Sequence, residues 1–113
     1  MKIINESKNC ILAEKATYAN TFFKRLKGLL GRKSLEKNEA LIISPANSIH
    51  TLFMCFPIDV LFVDKDKKVV KAISSILPFR ISPIFIQSRF VVELPSGVIK
   101  STATLAGDRL SIL

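Results

Sequence analysis

The chain has no tryptophan, one tyrosine, one histidine and two cysteines in 113 residues, and only nine acidic side chains against seventeen basic ones. Each scarcity removes a class of function. With His50 alone there is no paired-histidine metal motif. Cys10 and Cys55 are too far apart for the paired spacing of zinc sites or disulfide frameworks, so both read as reduced, small apolar side chains. A zinc set of Cys10, His50, Cys55 and Asp59 ranks far below that reading. The aromatic content is mostly eight phenylalanines in core-like runs. A stacking platform for single-stranded nucleic acid therefore has thin support, with Phe79-Arg80 and Arg89-Phe90 as its better interleaved pairs. There is no nucleophile elbow, no glycine-rich phosphate loop and no triad-like arrangement, and no cofactor is implied.

Long hydrophobic runs are missing too. The longest nearly uncharged stretch, Leu41 to Ile58, is broken by Pro45, Asn47, His50 and Pro57, well short of the roughly 20 apolar residues a membrane span needs. The first residues, Met1 to Glu6, lack the features of a secretory signal, and the chain as given reads as cytoplasmic. No repeat, linker or low-complexity segment interrupts it. A hydrophobic content of 49% suffices for one core, so residues 1–113 read as a single domain.

The charge is the compositional anomaly, at +8 with a pI near 9.8. Residues 1–37 hold nine basic groups against three acidic ones, six of the eight net charges. Such asymmetry can mark a face for nucleic acid, anionic lipid or an acidic protein. A plain solvated surface is the commoner cause, and Lys2, Lys8, Lys15, Lys24, Arg25 and Lys27 are expected to point in several directions.

Short β-prone runs dominate the chain. Lys2 to Asn5 and Cys10 to Glu14 flank the polar tetrapeptide Glu6-Ser7-Lys8-Asn9 and predict a hairpin. From Thr17 as N-cap, Phe22, Phe23, Leu26, Leu29 and Leu30 recur at helical spacing, with Gly28 and Gly31 as terminators. Strands are expected over Ala40 to Ile43, Ile49 to Phe53, Val60 to Asp64, Val69 to Ile76, Arg89 to Leu94 and Arg109 to Leu113. Asp64-Lys65-Asp66-Lys67-Lys68 is the clearest turn. Leu77 to Pro83 is a proline-interrupted connection that exposes its apolar residues or folds them over the core, and Val98 to Leu105 fits a short helix or a strand. The fold class is mainly β (α+β): a small curled sheet or open barrel of about seven short strands, with one amphipathic helix packed on it.

The most informative run is Ile49-His50-Thr51-Leu52-Phe53-Met54-Cys55-Phe56-Pro57-Ile58-Asp59-Val60-Leu61-Phe62-Val63-Asp64. It places one carboxylate, Asp59, inside apolar sequence. Taking an unpaired carboxylate out of water is costly, so Asp59 needs partners, neutralisation or a wet cleft. Backbone amides, Arg25 or Arg32 could be those partners, and Asp59 would then lock helix to sheet. The alternative is a ligand cleft.

Four elements together resemble a known family. Arg25-Leu26-Lys27-Gly28-Leu29-Leu30-Gly31-Arg32, the 49–64 run, Val92-Glu93-Leu94-Pro95-Ser96-Gly97 and Ala106-Gly107-Asp108-Arg109-Leu110 are similar, in the same order, to the motifs of domain of unknown function 192. The resemblance implies a small β-rich bacterial or archaeal domain with one helix, whose genes in bacteria sometimes neighbour those for pilus assembly or secretion. It carries no activity. Leu30 stands where the family usually has methionine, and Cys55 where many members have a basic or polar residue.

The candidate cleft or motif residues are Arg25, Arg32, His50, Thr51, Met54, Asp59, Glu93 and Asp108; none is assigned as catalytic or metal-binding. Glu93 is expected as a rim charge, with Gly97 supplying an uncommon backbone angle. A non-enzymatic module binding a protein or small-molecule ligand ranks first. A nucleic-acid module using the basic amino-terminal third ranks second, and a hydrolase-like enzyme around His50, Asp59 and Glu93 third.

Overall fold

The computed structural model describes residues 1–19, 35–51 and 54–113. Eight strands form two sheets in it. A three-stranded sheet has the order β2-β1-β8, from β1 (Ile3–Asn5), β2 (Cys10–Ala13) and β8 (Leu110–Ile112). A five-stranded sheet has the order β3-β4-β7-β5-β6, from β3 (Lys15–Ala19), β4 (Glu39–Ile43), β5 (Ile58–Val63), β6 (Val69–Ile76) and β7 (Phe90–Pro95). One short helix, α1 (Val98–Thr102), follows β7. The fold is mainly β of α+β type, and its sheets do not close into a barrel.

Alternation explains how one sheet serves two cores. β5 is buried at every position, so the run reads as continuously apolar although its side chains alternate between faces. Leu61 and Val63 join Ile3, Leu12, Val92, Leu94, Ile99 and Leu110 in a core shared with the three-stranded sheet. Ile58, Val60 and Phe62 join Ile43, Ile49, Met54 and Val91 in a second core on the other face.

The hairpins fall where turn chemistry places them. β1 and β2 pair around Glu6 to Asn9, and Asn9 takes a positive φ of 53°, a conformation asparagine tolerates. In the β5–β6 hairpin, Asp64 Oδ1 accepts the Asp66 and Lys68 amides at 2.8 and 3.0 Å. That is the aspartate-turn chemistry that makes the tip legible. Beyond the tip, Lys68 bridges Arg109 in β8's approach, linking the two sheets.

Two expectations change and one open alternative is decided. Thr17 is not an N-cap but lies inside β3, which pairs in parallel with β4; the helix expected over the residues that follow falls outside the described residues. Of the strand expected over Ile49 to Phe53, Leu52 and Phe53 lie outside the described residues, and Ile49 to Thr51 form no regular strand: His50 makes one isolated antiparallel bridge to Ile81, because its neighbour is a proline-broken loop and not a strand. The segment from Val98, open between helix and strand, is helical. Its last turn closes at Ala103, φ 54°, whose amide returns to the Ile99 and Lys100 carbonyls.

Candidate functional site

Asp59 is fully buried. Its register partner on β7 is Leu94, so it shares the face of Leu61 and Leu94, between the sheets. Oδ1 accepts the Ser75 amide at 2.7 Å, where β6 is irregular and Ser75 takes φ 50°. Oδ2 accepts the amides of Gly97 at 3.0 Å and Ile99 at 2.8 Å, at the start of α1. A helix start carries amides with no intrahelical partner, and a carboxylate from another element is a strong acceptor for them. Asp59 thus ties β5 to the β6 bulge and to α1. Gly97, φ 103°, has the left-handed conformation expected of it.

Glu93 occupies the neighbouring strand and the opposite face. It pairs with Val60 and Leu41, and only 3% of it is exposed. The rim charge expected at this position is therefore corrected to a buried carboxyl, because Val91, Val92 and Leu94 place β7 in the middle of the sheet. Among the described residues nothing hydrogen-bonds its buried Oε2. Burial raises its pKa to about 8, so the group is largely a neutral acid at pH 7.

Asp108 anchors a polar knot at the end of the three-stranded sheet. Its carboxylate accepts Asn5 Nδ2 at 3.0 Å, the Leu105 amide at 3.0 Å and Lys8 Nζ at 3.1 Å. Asn5 Nδ2 also donates to Thr104 Oγ1 at 3.1 Å. Burial raises the Asp108 pKa, but the hydrogen bonds from Asn5, Leu105 and Lys8 and the Lys8 charge outweigh it and leave the carboxyl below its ordinary value. Asn5 is the residue sequence reasoning missed; its signal was an asparagine alternating with Ile3 inside a strand.

Thr51 organises the third region. Fully buried, it donates from its hydroxyl to the Leu77 carbonyl at 2.6 Å and accepts the Arg80 amide at 2.9 Å. Its own amide reaches the Arg80 carbonyl at 2.8 Å, and its carbonyl accepts the Phe79 amide at 2.9 Å. Further along, Ile49 N donates to Ser82 Oγ at 2.9 Å, and Phe85 N to the Asn47 carbonyl at 2.8 Å. Phe85 turns inward, its ring 4.4 Å from that of Phe62. Loop 77–86 is therefore pinned along 47–51 and plugged into the second core. Yet Leu77, Phe79, Ile81, Ile84 and Ile86 are 53, 60, 72, 67 and 87% exposed. Phe79 takes φ 62°, a conformation that costs a bulky residue on the order of 1–3 kcal/mol and persists only where its surroundings impose it.

His50 is exposed and Met54 buried, and no hydrogen bond joins His50 to Asp59 or Glu93. The structure does not assemble these three as a catalytic set. Arg25 and Arg32 lie outside the described residues. Cys10 is in β2, whereas Cys55 is exposed in the approach to β5, and among the described residues no three His, Cys, Asp or Glu side chains gather as metal ligands. No helix of the described residues is long and apolar enough to cross a membrane.

Comparison with known proteins places the fold in a family. Residues 3–112 match the model of domain of unknown function 192, described as an uncharacterized ACR. A UPF0127 protein of Pyrococcus horikoshii is 33% identical, covering 96% of both chains, and one of Pyrococcus abyssi is 35% identical over 96% of this chain and 94% of its own. The chain belongs to the domain of unknown function 192 family. Among solved structures, a protein of unknown function from Novosphingobium aromaticivorans shares the fold with a TM-score of 0.87 at 19% identity, over 99% of this chain and 84% of that one. A Sinorhizobium meliloti protein, described provisionally as a transcription regulator, has a TM-score of 0.79 at 19% identity, over 97% and 89%.

Proposed function

We propose that this single-domain chain is a non-enzymatic binding module whose contact surface is loop 77–86, braced by residues 47–51. The observation that carries the reading is five large apolar side chains held in water by a loop that is itself hydrogen-bonded in place. Contiguous exposed apolar surface on a folded protein marks interaction sites. A floppy connection could bury such residues; this one is fixed with them outward. Of the cleft expected at His50, Thr51, Met54, Asp59 and the helix arginines, Thr51, Met54 and Asp59 are buried, His50 is exposed and Arg25 and Arg32 lie outside the described residues, so the reading rests on the outward ridge of loop side chains instead. Beside the ridge, a hollow of about 200 Å³ lined by Pro45, Ala46, Asn47, Ser88 and Arg89 is smaller than ordinary small-molecule clefts of roughly 300–1,000 Å³. The secretion or pilus-assembly setting that the family resemblance implies suits a contact surface but does not carry the reading.

Nucleic-acid binding ranks second, favoured by the +8 charge and by the description of the Sinorhizobium meliloti neighbour. The exposed large aromatics among the described residues, Tyr18 and Phe79, stand on separate elements, and Lys8 is engaged by Asp108.

The test compares the wild type with the Ile84→Ser, Ile86→Ser double variant in native extracts by size-exclusion chromatography and immunodetection. The reading expects a wild-type fraction eluting in an assembly or with membranes, absent from the variant, with an unchanged melting temperature. Identical monomeric elution of both proteins contradicts it.

A further inference from the structure

Loop 77–86 combines two properties that its role as a contact surface does not by itself explain. The first is shape. Ile81, Ile84 and Ile86 stand out at 72, 67 and 87% exposure, projecting side chains that want a soft or deep acceptor. The second is the charge around them. Within residues 77–92 the charged side chains are Arg80 and Arg89, both exposed, with not one aspartate or glutamate, and residues 40–58, which include the segment bracing the loop, contain none either. Of the carboxylates that border these stretches, Asp59 and Glu93 are buried and Glu39 is half-buried, while the exposed Asp66 lies at the β5–β6 tip, at the far end of β6 from the loop.

We infer that the surface docks on the anionic face of a lipid bilayer, with Leu77, Phe79, Ile81, Ile84 and Ile86 entering the headgroup layer while Arg80 and Arg89 meet lipid phosphates. The inference rests on the binding-module reading and names its occupant. Peripheral attachment of this kind draws on buried apolar area and on attraction between basic residues and anionic lipid together. Each alternative uses only part of the surface. A nucleic acid matches the arginines but offers no apolar acceptor for Ile81, Ile84 and Ile86. A second copy of the chain would set arginine against arginine across a symmetric contact with no carboxylate to offset it. An acidic protein partner matches the charge but would need a preformed apolar pocket of its own for each projecting side chain, whereas a bilayer interface takes them up without one.

The chain has no tryptophan, so Ile86→Trp supplies a single fluorescent reporter at the ridge, and Ile11→Trp, at an exposed position on β2, supplies a control. Both are titrated with vesicles of pure phosphatidylcholine and of phosphatidylcholine mixed equally with phosphatidylglycerol, with and without brominated acyl chains. The expected result is a blue shift and bromine quenching for Ile86→Trp with anionic vesicles alone. Ile11→Trp stays unchanged, and adding Arg80→Gln and Arg89→Gln weakens the binding about tenfold or more. Sedimentation of untagged wild type with the same vesicles guards against an effect created by the tryptophan itself: it should match, and be lost in Ile84→Ser, Ile86→Ser. Vesicle binding that survives the serine substitutions would mean charge alone is responsible, and would overturn the insertion. So would a concentration-dependent dimer, or duplex DNA bound more tightly than vesicles. Absence of vesicle binding alongside a serine-sensitive assembly in extracts would replace lipid with a protein and leave the binding-module reading standing. Absence of both would remove the two readings together.

Discussion

Asp59 and Glu93 sit one register step apart on adjacent strands and point to opposite faces of the same sheet, because Asp59 pairs with Leu94 and Glu93 with Val60. Period-two alternation converts that single step into two environments. Asp59 meets three backbone amides, and Glu93 meets apolar side chains. One carboxylate fastens elements together while the other is kept neutral.

Replacing Asp59 by alanine should destabilise the protein by roughly 3–5 kcal/mol, because three amides lose a charged acceptor. Asp59→Asn keeps one acceptor oxygen and should cost less, about 2 kcal/mol. Urea unfolding of both variants checks the order. Amide exchange should accelerate at Ser75, Gly97 and Ile99 before it does in β7.

Glu93 makes stability fall as pH rises. Its folded pKa is about 8 against an ordinary 4.5, so the unfolded chain releases this proton first. The contribution is complete below pH 4.5 and is lost up to about pH 8, at about 1.4 kcal/mol for each unit of the shift. Glu93→Gln should flatten the slope and exceed the wild type in stability at pH 8, by on the order of several kcal/mol. Asp108 acts in the other direction. Its lowered pKa gives a contribution present above its ordinary value and lost as pH falls through the lowered one. Urea titrations from pH 3 to pH 9 would show both limbs, and a wild type with no slope between pH 5 and pH 8 would contradict the Glu93 assignment.

Thr51→Val removes the hydroxyl while keeping the shape, leaving the Leu77 carbonyl and the Arg80 amide without their side-chain partner. The expected loss is about 1–3 kcal/mol. Faster hydrogen exchange should be confined to residues 77–82, whereas exchange that spreads through β5 and β7 would show that Thr51 supports the sheet and not the ridge.

The sequence was most legible where local chemistry decides the structure. Asp64 to Lys68 announced a hairpin because aspartate folds back on its own backbone, and Asp59 announced partners because an isolated carboxylate in apolar sequence requires them. It was least legible where tertiary placement decides. Glu93 has the composition of a strand end, and only the position of β7 between β4 and β5 makes it interior. Thr17 suits an N-cap as well as a strand, and parallel pairing with Leu41 settles it. The hydroxyl of Thr51 gave no hint of the loop it holds, since Leu77 and Arg80 are more than twenty positions away.

The central claim is that loop 77–86 is a contact surface, and site-specific photo-crosslinking in living cells tests it most directly. A photoreactive residue placed at Ile81 or Ile86 should trap one recurring protein or lipid adduct, while the same residue at Ile11 or Leu105, exposed elsewhere on the molecule, should trap none. Equal, diffuse labelling at all four positions would contradict the account.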